Sequence, residues 1–187
     1  GCLAQIYFCI LLANMDNFLL AAMAYDRYVA ICHPLHYATM LSPRVCALLL
    51  GSSWLLASLH SLLHTLLMAR LEFCAGTAVP YFFCDLLPLL RLSCSSTRLN
   101  QLMILLVGGL IVLGPFLGVL VSYVHIVSAV LKVPSARGRR KAFSTCGSHL
   151  TVVILFYGTI AGVYLSPSSS RSAGRASLAS VMYMVVT

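Results

Sequence analysis

The stretch Met23-Ala-Tyr-Asp-Arg-Tyr-Val-Ala-Ile-Cys-His-Pro-Leu-His-Tyr37 decides how this chain folds. An acid and an arginine, Asp26 and Arg27, stand side by side at the end of a long apolar run, which stops at His33-Pro34. Charges at bilayer depth are costly, and where they occur they are usually paired or functional. The placement suits the inner mouth of a membrane helix, where a charged pair can hold a neighbouring helix shut and release it.

Composition points the same way. The chain is 60% hydrophobic and 9% charged, with a mean hydropathy of +0.96. A soluble domain carries about a quarter charged residues. The net charge of +8 invites a nucleic-acid reading, but the basic residues lie between apolar runs rather than on a polar module, so no nucleic-acid partner is expected. No secretory signal is visible. Without an initiating Met, the chain is expected to be a fragment of a longer protein.

A helix needs about 20 apolar residues to cross the hydrocarbon core. Residues 1–25 hold one charge, Asp16, and residues 45–69, 99–131 and 142–170 hold none. The runs are too long for strands and none alternates with period two. The expectation is an all-α membrane protein with one domain over 1–187. Its helices should lie near 1–28, 45–67, 99–131 and 142–165, with the start of a fifth at 176–187 and a long loop over 68–98. Small residues such as Gly108, Gly114 and Gly158 would let helices approach closely. Pro115 is expected to kink its helix.

The linkers orient the bundle. The first and third carry seven basic residues, Arg27, Arg44, Lys132, Arg137, Arg139, Arg140 and Lys141; the second and fourth carry five. The positive-inside rule therefore places Arg27 and the 132–141 cluster in the cytoplasm. Cysteine placement agrees. Cys74, Cys84 and Cys94 lie in the second linker and Cys2 at the same end of the first helix, in an oxidising exterior that favours pairing. Four cysteines allow three connectivities. Cys9, Cys46 and Cys146 fall inside apolar runs and suit reduced thiols.

Met23 to Tyr37 closely resembles the third-helix signature of vertebrate odorant receptors, a branch of the rhodopsin-like G-protein-coupled receptors. Phe83-Cys-Asp85 and Leu92-Ser-Cys94 resemble that family's second extracellular loop, and Ser122-Tyr123 the inner end of its helix five. Lys141-Ala-Phe-Ser-Thr-Cys-Gly-Ser-His149 is similar to its helix-six signature, and Ser180–Thr187 to the opening of helix seven. Five motifs in order cover nearly the whole chain. The resemblance implies part of a seven-helix bundle, from helix three to the start of helix seven. Helices one and two are absent, no Asn-x-Ser/Thr sequon occurs, and Tyr81 stands where the family commonly has His.

The resemblance further implies a receptor for small volatile odorants on the plasma membrane of olfactory cilia. It would couple to the olfactory stimulatory G protein and raise cyclic AMP. It implies an activation role for Asp26, Arg27, Tyr28, Tyr123, Lys141 and His149, and disulfides Cys2–Cys84 and Cys74–Cys94. Asp16, about three turns above Asp26, is expected to meet a helix-two acid, around a structural sodium ion. The ligand pocket is expected in the outer half of the bundle. Its candidates are Cys9, Ile10, Ala13 and Asn14 from the first helix here; Val107, Gly108 and Ile111 from the third; and Tyr157, Ile160, Ala161 and Tyr164 from the fourth. Such pockets are mostly apolar with few polar groups. No acid sits in the outer half of the first helix to meet an amine, so a neutral ligand is expected.

His60 and His64 share a helix face, but zinc would need further ligands, so they read as hydrogen-bonded packing residues. No metal site is expected besides the sodium. No phosphate cradle or nucleophile elbow is present, so no enzyme chemistry is expected. The alternatives are a non-signalling truncated product and a channel or transporter fragment. The latter would need a polar helix stripe that these helices lack.

Overall fold

In the computed structural model, the residues described are 1–73, 84 and 86–165. Helices α1 (Cys2–Cys32), α3 (Pro43–Ala69), α6 (Gly109–Leu131) and α7 (Ala136–Leu165) form the bundle, with short helices α2 (Tyr37–Met40), α4 (Leu86–Arg91) and α5 (Arg98–Met103) between them. A π-helical turn, Ile104–Gly108, joins α5 to α6 into one apolar rod. Among the described residues, four helices, Cys2–Cys32, Pro43–Ala69, Arg98–Leu131 and Ala136–Gly162, are long and apolar enough to cross a membrane.

Local chemistry sets the ends. α1 continues to Cys32, beyond the expected residue 28, and stops at His33 because a residue before proline is disfavoured in the helical region. α3 begins at Pro43, earlier than residue 45, because proline suits the first turn and the Ser42 hydroxyl accepts the Val45 N–H at 3.5 Å. α7 begins at Ala136 rather than 142, since its basic first turns are good helix formers that need no membrane. The expected 68–98 loop contains α4. The expected helix at 176–187 and Cys74 lie outside the described residues.

α1 is the central helix, packed along α3 on one side and α6 on the other, with α7 against α1 and α6. Two clusters form its core. The inner one joins Leu20 and Ala24 to Tyr123, Ile126, Cys146 and Phe156. The outer one joins Ile6 to Met68, Leu89 and Leu90. The opposite faces remain bare: Leu105 is 73% exposed, Leu110 75% and Ile154 68%. Apolar surface on this scale marks contact with a membrane or with further protein.

Candidate functional site

At the inner end, a cavity of about 260 Å³ opens between α1 and α7, lined by Arg27, Ala30, Ile31, Lys141, Ala142 and Thr145, with Gly138. Lys141 and Thr145 share a helical face four residues apart, which brings Lys141 opposite Arg27. Arg27 Nε is buried without a hydrogen-bond partner. Its neighbour Asp26 turns to α2 instead, where the Tyr37 hydroxyl donates to Asp26 Oδ1 at 2.6 Å. That bond, with the carboxylate's charge, pushes the Tyr37 pKa up. The Asp26–Arg27 pair thus divides its work: the acid anchors the loop and the arginine faces the cavity. Tyr28 does not line the cavity; its hydroxyl is 3.0 Å from His33 Nε2 and its ring rests near His125.

Directly above, buried His149 ties three helices together. Its Nε2 is 3.1 Å from the Leu20 carbonyl, and its Nδ1 is 2.8 Å from the Tyr123 hydroxyl. A carbonyl only accepts, so Nε2 carries the proton, while the single Tyr123 hydroxyl proton lies between His149 Nδ1 and the Cys146 carbonyl. The Tyr123 hydroxyl also reaches the Cys146 carbonyl at 3.3 Å, and the two rings stack. Thus α7 is held against α1 and α6 just over the cavity.

A second tie, unforeseen in the sequence, lies deeper. Pro115 inside α6 has no N–H, so the Ile111 carbonyl four residues earlier loses its helical donor. Asn17 Nδ2 supplies the replacement at 2.8 Å, and Asn17 Oδ1 accepts from the Tyr157 hydroxyl at 2.6 Å. One buried amide thereby joins α1, α6 and α7. Tyr157, expected to offer its hydroxyl to a ligand, spends it on Asn17.

In the outer half, the Asn14 amide is also engaged. Its Nδ2 donates to His60 Nδ1 at 2.8 Å, and His60 Nε2 meets His64 Nε2 at 3.0 Å. The two histidines are hydrogen-bonded packing residues between α1 and α3. Gly108 lies beside His60, and Val107 shares the π-helical turn with it. Ile10 packs on the outer cluster and Ile160 on the inner one. Cys9, Ala13, Ile111 and Ala161 are half-buried. The Tyr164 side chain lies outside what is described.

Cys2 and Cys84 form a disulfide with a Cα–Cα distance of 5.5 Å. It is the pairing that the resemblance implied. Cys94 is also disulfide-bonded. Asp16 Oδ2 is buried without a hydrogen-bond partner. Among the described residues, no three His, Cys, Asp or Glu side chains gather as a metal cluster.

Apolar helices with a basic inner mouth and buried polar ties define a multi-pass membrane protein, part of a seven-helix receptor bundle. The chain belongs to the olfactory receptor family, a family of G-protein-coupled receptors and not of enzymes: the olfactory receptor family profile matches residues 1–186. It is similar to rat olfactory receptor 1f45, at 60% identity over 187 residues, and to human olfactory receptor 1F1, at 58% over 187 residues. Mouse olfactory receptor 1E16 is 57% identical over 187 residues. All of this chain is covered, and it spans 60% of the length of each of these relatives.

Proposed function

We propose that this chain is the central part of a receptor that binds a small, neutral odorant in the outer half of the bundle. The bound receptor activates the olfactory stimulatory heterotrimeric G protein and raises cyclic AMP, at the plasma membrane of olfactory sensory cilia. The observation that carries the reading is the placing of the His149–Tyr123–Leu20 tie over the Arg27 cavity. A ligand that loosens the tie would free α7 to move outward and widen the basic mouth, a two-state shift of a packed helix. Lys141 sits on that moving helix and Arg27 on the fixed one. Cys9, Ile10, Ala13, Val107, Gly108, Ile111 and Ala161 supply the apolar wall, Ile160 its floor where it meets the inner cluster, and Asn14, Tyr157 and Tyr164 its polar groups. Because Asn14 and Tyr157 already hold internal hydrogen bonds, a ligand engages them by exchange.

The test is a completed receptor, in which residues 1–187 replace the aligned segment of human olfactory receptor 1F1. It is expected to answer members of a neutral odorant panel with cyclic AMP. Ile111→Ala removes a side chain but leaves the carbonyl that Asn17 holds, so it probes the pocket wall alone. Loss of about three methylenes, at about 0.8 kcal/mol each, should move some dose-responses tenfold or more towards bulkier ligands. A silent receptor on the whole panel, or an Ile111→Ala profile identical to the parent's, would sink the pocket assignment.

We propose Asp16 as one ligand of a sodium ion in that receptor, on the strength of its buried, unpartnered oxygen. Carboxylate oxygens suit a hard cation. Asp16→Asn is then expected to make the response indifferent to sodium concentration; a sodium dependence that survives the change rules the site out.

A further inference from the structure

The linker after α6 and the first turns of α7 carry five cations, Lys132 in the linker and Arg137, Arg139, Arg140 and Lys141 on the helix, and no acid. They do not all face one way. Lys141 lines the inner cavity. Arg139 turns back, its Nη1 donating to the Val133 carbonyl at 3.4 Å, which pins the turn. Lys132, Arg137 and Arg140 stand exposed.

Helical geometry shows where two of these reach. Arg140 lies about 100° around α7 from Lys141, turned away from the cavity side. It heads the stripe of Phe143 and Ile154, 49% and 68% exposed, whose spacing keeps them on one outward face. Lys132 ends the corresponding stripe on α6, where Val121, Val124 and Leu131 are 57%, 64% and 64% exposed. On helices long and apolar enough to cross a membrane, bare apolar stripes of this kind suit lipid. The cations that continue them therefore emerge at headgroup level, outside the bundle and away from its mouth. The few residues between Lys132 and Ala136 keep both helix ends close together.

We infer that Lys132, Arg137 and Arg140 form a docking surface for an inner-leaflet lipid with a multiply phosphorylated inositol headgroup. Juxtamembrane clusters of four or more Lys and Arg attract anionic lipid, and a headgroup with several phosphates can answer three exposed cations at once. The G-protein reading uses the cavity face of α7; Arg140 lies on the opposite one, and Arg137, three residues before it, on the flank between Arg140 and Lys141. The inference rests on the cytoplasmic placement of this linker but on neither odorant nor G protein.

The experiment uses the 187-residue chain and the completed receptor, each in detergent micelles without odorant or G protein, titrated with fluorescent short-chain phosphatidylinositol 4,5-bisphosphate. Neutralising Lys132, Arg137 and Arg140 together to Gln should weaken binding about a hundredfold, or about fivefold per residue. The charge-preserving triple variant K132R/R137K/R140K should bind within a few-fold of the parent, which separates lost charge from lost fold. Unlabelled phosphatidylserine at matched total charge should compete at least tenfold more weakly. Unchanged binding after neutralisation overturns the surface, and so does an equal loss in the charge-preserving variant. Equal competition by phosphatidylserine overturns the choice of headgroup. A Gln variant that loses only G-protein activation while keeping lipid binding assigns these residues to the protein partner instead.

Discussion

Arg27→Ala is expected to abolish the cyclic AMP response of the completed receptor while its density at the cell surface stays within about twofold of the parent. The two halves of that result have separate causes. Removing a side chain is severely destabilising when it leaves a buried partner unsatisfied, but Arg27 Nε has no partner, and Asp26 is already held by Tyr37. What folding loses is the packing of the arginine stem. Signalling loses a guanidinium that faces the cavity. Hydrogen bonds to charged groups are worth about 1.5–3 kcal/mol, so even one lost to the G protein lowers coupling by about ten- to a hundredfold. His149→Ala should move activity the other way. It removes the hydrogen bonds to Tyr123 and the Leu20 carbonyl that tie α7 to α6 and α1, so on the proposed mechanism unstimulated cyclic AMP should rise about fivefold or more. Surface density and odorant-free signal, measured together on both variants, decide the matter. A wild-type response from Arg27→Ala removes the arginine from the mechanism, and a wild-type basal level in His149→Ala removes the tie.

The helices were legible because hydrophobic length is a direct physical requirement of the bilayer. Residues 45–69 and 99–131 had no charge to place elsewhere. Their ends were less so: α7 runs through Arg137–Lys141 because helix propensity and a first turn in water do not depend on apolar length. The π-helical turn at Ile104–Gly108 left no sign, since a segment apolar on every face reads the same in either hydrogen-bond register.

The ties between helices were harder, because they depend on which depths face each other. Tyr123 and His149 stood out only through the motifs that carry them. Asn17 was missed, although a signal for it existed. Pro115 must leave the Ile111 carbonyl without its helical donor, and a buried carbonyl requires another. The first helix offers two amides near that depth, Asn14 and Asn17. Choosing between them needed the rotation of α1, which gave Asn14 to His60 and Asn17 to Ile111. The same rotation takes the Tyr157 hydroxyl out of the set of free ligand-binding groups.

Cys2→Ser and Cys84→Ser are each expected to cut surface delivery of the completed receptor severely, and to an equal extent. The bond joins residues 82 apart, anchoring the loop over the outer cluster of Ile6, Met68, Leu89 and Leu90. For a loop of that length, chain entropy alone assigns the crosslink about 4.5 kcal/mol at 25 °C. Helices already inserted in a bilayer have lost part of that freedom, so about 2–4 kcal/mol is the working range. That is a large share of a marginal folding free energy of about 5–15 kcal/mol. The loss should come first at the outer end. Leu86, Leu87, Leu71 and Ile104 pack on that cluster and would lose the anchor that holds the loop over them. The inner cluster, built on Leu20, Tyr123, Ile126 and Cys146, shares no residue with it. Receptor that does escape to the surface should therefore keep its response to the His149→Ala change while losing odorant sensitivity. The double variant Cys2→Ser/Cys84→Ser supplies the decisive arm. If the two residues act only through their common bond, the double loss equals either single loss; if the losses add, each cysteine has an independent role and the disulfide is not what holds the outer end.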